Sequence, residues 1–171
     1  MAQASASATA VIRAPARRVY DILADYRQHH PHIVPPEYFR KIEVEAGGVG
    51  AGTRIRVEMR VFGTTKRFVH LIREPEPGRV LEEGDADGSS TTTFIVDPVE
   101  NGAAAKVSIE TRFTVRRGPL GAIERLLATS LLRRIYSKQL VRLGAYATTP
   151  EDGDPCRLPM LPPNHPKLFI P

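Results

Sequence analysis

The chain has 171 residues, of which 42% are hydrophobic and 25% charged, a composition typical of a globular protein with one core. No segment approaches the roughly 18 consecutive apolar residues of a membrane span. The small, polar start, Met1–Ala8, lacks the basic and apolar regions of a signal peptide. The one cysteine, Cys156, has no partner for an internal disulfide. These features predict a cytoplasmic protein.

The net charge is +5, and many of the basic residues come late in the chain: Arg116, Arg117, Arg125, Arg133, Arg134, Lys138 and Arg142. Such a pattern is typical of a solvated helix face, and it also fits peripheral contact with an anionic membrane or an acidic partner protein. No nucleic-acid-binding motif or aromatic stacking pattern accompanies it, so we expect no nucleic-acid partner. The sequence leaves the oligomeric state open.

The first part of the chain is predicted to form one strand followed by two short helices. Residues Ala4–Arg13 are rich in Ser, Thr, Val and Ile, which favours a strand. After Pro15, apolar residues at helical spacing predict a short amphipathic helix over Ala16–Ala24. We expect Asp25, paired with Gln28 in a pattern like a capping box, to cap a second short helix, which nearby prolines end.

From Tyr38 to Val115 the apolar residues alternate with polar ones, as they do in half-buried strands. The clearest run is Ile55, Val57, Met59 and Val61, which alternate with charged residues. Short Gly- and Pro-containing turns separate about six such strands, which predicts an antiparallel meander.

Gly118 and Pro119 begin a long helix that we expect to end near Ala147. Its apolar residues form two stripes, one over Leu120, Ile123, Leu127, Leu131 and Ile135, the other over Leu132, Tyr136, Leu140, Leu143 and Ala147. Two interpretations stay open: the halves of the helix meet different surfaces, or the helix bends or is broadly buried. Residues 148–171 are rich in proline and lack periodicity, so we predict a domain over 1–147 followed by a tail.

This order of elements resembles the superfamily of START-like, polyketide cyclase/dehydrase and pollen-allergen-like ligand-binding proteins. The similar segments are Ile12–Tyr26 (IRAPARRVYDILADY), Pro31 with Val34–Pro35, Pro77–Leu81 (PGRVL) and Gly118–Gly121 (GPLG). The resemblance covers about residues 4–147. It implies an α+β helix-grip fold, in which a curved antiparallel sheet of about seven strands, with two short helices, wraps around the long C-terminal helix.

The resemblance also implies a cavity between the sheet and the long helix for a lipid, polyketide, quinone or similar apolar molecule. The expected apolar lining is Ile55, Val57, Met59, Phe68, Phe94, Phe113, Ile123, Leu127 and Leu131. The alternative is that these side chains fill a solid core, since all of them are ordinary core residues.

Few polar residues are candidates for the same cavity. His70 lies in the apolar register of its strand, and Tyr26 lies between the short helices, so either could hydrogen-bond a ligand or transfer a proton. Thr111 is a weaker candidate for ligand binding. His29, His30 and His32 cluster around Pro31, but the proline disrupts helical ligand spacing and no Cys, Asp or Glu joins them at ligand spacing. We therefore expect neither a metal nor another cofactor.

Two classes of function stay open. The first is a binder or carrier of an apolar small molecule. The second is a polyketide cyclase/aromatase-type enzyme, in which the cavity orients a reactive chain and His70 or Tyr26 moves protons.

Overall fold

The computed structural model describes residues 1–61 and 63–149. Its strands are β1 (Ala2–Ile12), β2 (Phe39–Ala46), β3 (Arg54–Val61), β4 (Thr64–Glu76), β5 (Val80–Asp85), β6 (Ser90–Val99) and β7 (Ala104–Val115). Its α-helices are α1 (Ala16–Ala24), α2 (His30–Ile33) and α3 (Pro119–Thr148). The predicted tail lies outside the described residues except for its first two positions.

The seven strands form one antiparallel sheet in the order β1-β7-β6-β5-β4-β3-β2. Consecutive strands from β2 to β7 are neighbours, because each turn is short enough to return the chain beside itself. The first strand, β1, lies at one edge of the sheet and pairs with the last strand, β7. This arrangement of an open, curved sheet with a long C-terminal helix confirms the predicted α+β helix-grip fold.

The end of α1 and the turn after it are hydrogen-bonded to the loop between β2 and β3. The backbone N–H of Tyr26 donates to the carbonyl of Gly48 at 2.9 Å, and that of Gly50 donates to the carbonyl of Ala24 at 3.0 Å. The Asp25 carboxylate accepts the backbone N–H groups of Arg27 and Gln28 and so closes the turn between the helices. The N-cap residue of α2 is His29 and Asp25 is the C-cap of α1, which corrects the prediction that Asp25 caps the second helix. These bonds hold Tyr26 and α2 against one end of the sheet.

The long helix begins after Gly118, whose φ of +91° is a conformation that glycine adopts without strain. Its C-terminal half is buried against the sheet and the short helices through Ile135, Tyr136, Leu140, Leu143 and Ala147. Its N-terminal half is largely exposed, and Leu131 and Leu132 are only partly buried there. Of the two interpretations of the two stripes, the structure therefore favours halves in different surroundings.

The solvent-exposed face of the sheet carries cross-strand ion pairs. Glu45 contacts both Arg54, at 2.8 Å, and Arg56, at 2.5 Å. Such exposed pairs contribute little stability, but opposite charges on adjacent strands favour this register. None of the described helices has the length and apolar character needed to cross a membrane.

Candidate functional site

A cavity of about 330 Å³ lies between the concave face of the sheet and α3. Most of its wall is apolar, and side chains from β2 to β7 contribute to it. The long helix closes the other side with Ala128, Leu132, Ile135, Tyr136 and Gln139. A partly open, mostly apolar cavity with a few polar groups has the features of a small-molecule site.

Eight of the twelve residues predicted for ligand contact line this cavity: Ile55, Val57, Met59, Phe68, His70, Phe94, Thr111 and Phe113. Strand register explains their convergence. Ile55 pairs with His70 and Val57 with Phe68, and residues directly opposite each other on neighbouring strands project to the same face. The alternation visible in the sequence therefore selected the correct face of the sheet.

The other four predicted residues do not line the cavity. Ile123 and Leu127 are 56% and 49% exposed, which corrects the prediction that they face the sheet. They lie on the side of α3 that points away from the domain, and the buried member of their stripe is Ile135, in the C-terminal half. Leu131 packs against the edge of the core. Tyr26 is buried beside the cavity and reaches it only through its neighbours.

His70 is paired with Asp85 on the cavity wall. The two residues are opposite each other on β4 and β5, and His70 Nε2 lies 3.0 Å from Asp85 Oδ1. The other carboxylate oxygen of Asp85 accepts hydrogen bonds from the hydroxyls of Ser89 and Ser90, at 3.0 and 2.6 Å. These bonds orient the carboxylate toward the imidazole, and the carboxylate in turn orients the ring.

Glu83 joins His70 to the buried aromatic groups of the short helices. Its Oε1 accepts the Tyr26 hydroxyl at 2.6 Å and lies 3.6 Å from His30 Nε2, while its Oε2 lies 3.8 Å from His70 Nδ1. The rings of Tyr26 and His30 stack with their centres 4.4 Å apart. A carboxylate in the cavity wall is thus held among three side chains able to carry a proton.

The surroundings of these groups shift their pKa values. Burial by itself lowers the pKa of His70, but the hydrogen bond to Asp85 and the charges of Glu83 and Asp85 outweigh burial, so the pKa is raised. For Asp85 burial raises the pKa, yet the hydrogen bonds from His70 and Ser90 outweigh it and the pKa is lowered. Burial, reinforced by Glu83, raises the pKa of Tyr26. The cluster thus stabilises a protonated imidazole next to carboxylates.

A second polar group on the wall is a chain of hydroxyls. The Tyr136 hydroxyl on α3 hydrogen-bonds to Thr111 on β7, and Thr111 bonds to Thr92 on β6 at 2.6 Å. Burial raises the pKa of Tyr136 to about 12, so the phenol stays neutral and keeps its proton for hydrogen bonding at neutral pH. This chain satisfies polar groups that burial would otherwise leave costly.

Sequence reasoning missed His30, Glu83, Asp85, Tyr136 and Gln139 as members of the site. Glu83 and Asp85 belong to a short strand whose acidic residues look like surface residues in the sequence. A signal was nevertheless present: both carboxylates lie on alternate positions, so one face of β5 must receive both. Only the pairing of Asp85 with His70 identifies that face as the inner one.

The three histidines around Pro31 separate in the structure. His29 Nδ1 is 2.9 Å from the Tyr146 hydroxyl, the His30 ring nitrogen contacts the Leu23 carbonyl, and His32 stacks on Tyr146. Within residues 1–61 and 63–149, no group of His, Cys, Asp and Glu has the arrangement of a metal site. His29 and His32 therefore share Tyr146 as a structural partner, and His30 bonds to the backbone of α1.

The sequence matches the family described as polyketide cyclase/dehydrase and lipid transport over residues 3–148. The chain belongs to this family. No curated protein sequence matches it. The solution structure of KanY is similar, with 26% identity, a TM-score of 0.74, and coverage of 86% of this chain and 99% of KanY.

Two further solved structures share the fold at lower identity. The Zhui aromatase/cyclase from Streptomyces sp. R1128 is 16% identical with a TM-score of 0.67, and the match covers 85% of this chain and 94% of that protein. A START superfamily protein from Mycobacterium smegmatis is 15% identical with a TM-score of 0.65, and the match covers 82% of this chain and 97% of that protein. Family and fold together support ligand binding or cyclase chemistry in general.

Proposed function

We propose that the protein binds and carries an apolar small molecule, such as a lipid, polyketide or quinone, in the cavity between sheet and α3. The observation that carries the proposal is the cavity itself, about 330 Å³ of space where a solid core would leave none. Ile55, Val57, Met59, Phe68, Phe94 and Phe113 would contact the apolar body of the ligand. Its one or two polar groups would bond to Gln139 or Thr111. A chain with a single cysteine needs no oxidising compartment for an internal disulfide, so we propose that the protein functions in the cytoplasm.

Native mass spectrometry of the purified full-length protein tests this proposal. We expect an additional mass that organic extraction recovers as an apolar molecule. Ala128 lines the cavity, so Ala128→Phe should fill part of it and remove that mass, whereas Ala145→Phe, at an exposed position of the same helix, should retain it. A protein that carries no molecule, and whose unfolding temperature no apolar compound raises, would contradict the proposal.

The second candidate is a polyketide cyclase-type enzyme, which the His70–Asp85 pair favours. A carboxylate that accepts from Nε2 leaves the lone pair of a neutral imidazole on Nδ1, the arrangement of a general base. However, His70 Nδ1 is buried beside Glu83 and, within the described part of the chain, has no hydrogen-bond partner. A base that removes a proton from a ligand must reach it, so the present geometry favours binding over catalysis.

The two candidates are separated by His70→Gln. If the cavity only binds, this variant and the wild type should hold the co-purified molecule equally well within a few-fold, and neither should convert a linear polyketide thioester. If the protein is a cyclase, the wild type should convert that substrate and the variant should lose about 100-fold or more of the rate while it still binds.

A further inference from the structure

The outer side of the N-terminal half of α3 carries aliphatic side chains that the domain does not cover. Leu120 and Leu126 are 73% and 70% exposed, and Ile123 and Leu127 about half exposed. Because these positions are three or four residues apart, they form one stripe on the helix. We call Leu120, Ile123, Leu126 and Leu127 the α3 outer stripe. Single exposed aliphatic residues are common, but three leucines and an isoleucine side by side mark an interaction surface.

Basic residues surround the α3 outer stripe. Residues 116–134 contain five arginines and one glutamate, a net charge of +4. Arg116, Arg117 and Arg125 are exposed, and within residues 1–61 and 63–149 none of the three forms an ion pair with an acidic side chain. Elsewhere on the surface arginines such as Arg54 and Arg79 are paired. The unpaired charge around the stripe therefore favours an anionic partner.

The shape and charge of the surface discriminate between partners. A second copy of the chain would bring two surfaces of net charge +4 together, which electrostatic repulsion opposes. Leu120, Ile123 and Leu127 project from the helix as a convex ridge, while Leu126 also borders a groove beside β1. A fluid bilayer accommodates such a ridge without a complementary groove. Aliphatic residues on one side and arginines beside them are the pattern of helices that lie in a membrane interface.

We propose that the α3 outer stripe and its arginines dock the protein on an anionic lipid bilayer. The aliphatic side chains enter the boundary between headgroups and acyl chains, while the arginines contact lipid phosphates. Ala128, the residue after the stripe, lines the cavity from the inner side of the helix, so docking would place α3 between the cavity and the membrane. The proposal stands on the exposed surface, independently of whether the cavity holds a ligand.

Flotation of the full-length protein with lipid vesicles tests the proposal. We expect binding to vesicles of phosphatidylcholine with about 30% phosphatidylglycerol, and at least about tenfold weaker binding to phosphatidylcholine alone. About 0.5 M NaCl should reduce the binding, because it shortens the Debye length to a few ångströms. Equal binding to neutral vesicles, or binding that salt does not change, would overturn the electrostatic part of the proposal.

Matched variants locate the surface. Leu126→Ser should weaken binding about fivefold or more, whereas Val141→Ser, at a position 73% exposed on the same helix, should leave it unchanged. Arg116→Gln with Arg117→Gln should weaken binding about tenfold or more. Arg17→Gln with Arg79→Gln removes the same charge at the α1 end of the domain and should have little effect.

Two results would refute the assignment of the α3 outer stripe as the membrane-docking surface. The first is that both serine variants bind as the wild type does while their unfolding temperatures are unchanged. The second is that the protein does not bind vesicles but sediments as a dimer that Leu126→Ser dissociates, which would make a second copy the partner. Because vesicle binding is measured without regard to cavity contents, an empty cavity would leave this test intact.

Discussion

The two halves of α3 are built from similar residues and have opposite surroundings. The C-terminal half buries Leu143 completely, whereas the N-terminal half leaves Leu126 70% exposed. Both residues are leucines on the same helix, so helix propensity does not distinguish them. What differs is that Leu143 packs against the domain, whereas the side chain of Leu126 faces solvent. One helix can therefore be core at one end and surface at the other, and its apolar pattern records both.

The largest expected effect is the contrast between these two leucines. Leu143→Ala should lower the free energy of unfolding by about 2–5 kcal/mol, because it leaves a cavity in a packed core. Leu126→Ala should change it by less than about 0.5 kcal/mol. Denaturant unfolding of both variants measures the difference. Similar losses for both would mean that the N-terminal half packs against the domain.

Amide hydrogen exchange sharpens the comparison without mutation. Amides within 122–127 should exchange at least about 30-fold faster than those within 135–147, because few buried contacts hold the first group. Mass spectrometry of peptides from each half gives the two rates. Uniform protection along α3 would contradict this prediction. Added anionic vesicles should slow exchange in the first segment only, if the docking proposal is correct.

A smaller effect concerns the polar contact between the buried half and the sheet. Tyr136→Phe removes the hydroxyl that bonds to Thr111, and we expect a loss of about 1 kcal/mol in unfolding free energy. The loss stays modest because Thr111 keeps its bond to Thr92. Tyr38→Phe is the control, since the described residues offer its hydroxyl no side-chain hydrogen bond. No difference between the two variants would mean that the hydroxyl chain adds no stability.

The smallest expected effect is a pH dependence of the unfolding free energy, which comes from the His70–Asp85 pair on the cavity wall. The pKa of His70 is raised above its ordinary 6.5, so its stabilising contribution is complete below that value and is lost as pH rises through the raised pKa. The pKa of Asp85 is lowered from 3.8, so its contribution is lost as pH falls below that value through the lowered pKa.

The difference in unfolding free energy between wild type and His70→Gln should therefore be largest between about pH 4 and 6 and should shrink above pH 6.5. Thermal unfolding of both proteins across this range measures it. Leu126→Ser is the control on the exposed half and should follow the wild type at every pH. A difference that grows above pH 6.5 would contradict the raised pKa.

Much of the fold could be predicted from local pattern. The period of two over Arg54–Val61 and the period of 3.6 over Ala16–Ala24 reflect how strands and helices present side chains, and the structure has both elements at those bounds. The inward register of Ile55, Val57 and Phe68 followed from the same alternation. These features are local, so the residues that form them also encode them.

Which stripe of α3 is buried, and which carboxylates meet His70, depended on tertiary structure. The two stripes are equally apolar in the sequence, and only the position of the helix on the sheet buries Leu143 and exposes Ile123. Glu83 and Asp85 looked like surface residues until strand pairing brought them beside His70. The sequence by itself determined the elements, their order and the faces of the strands, because those follow from periodicity. The tertiary structure decided the site, because its members come together only through contacts between residues distant in the chain.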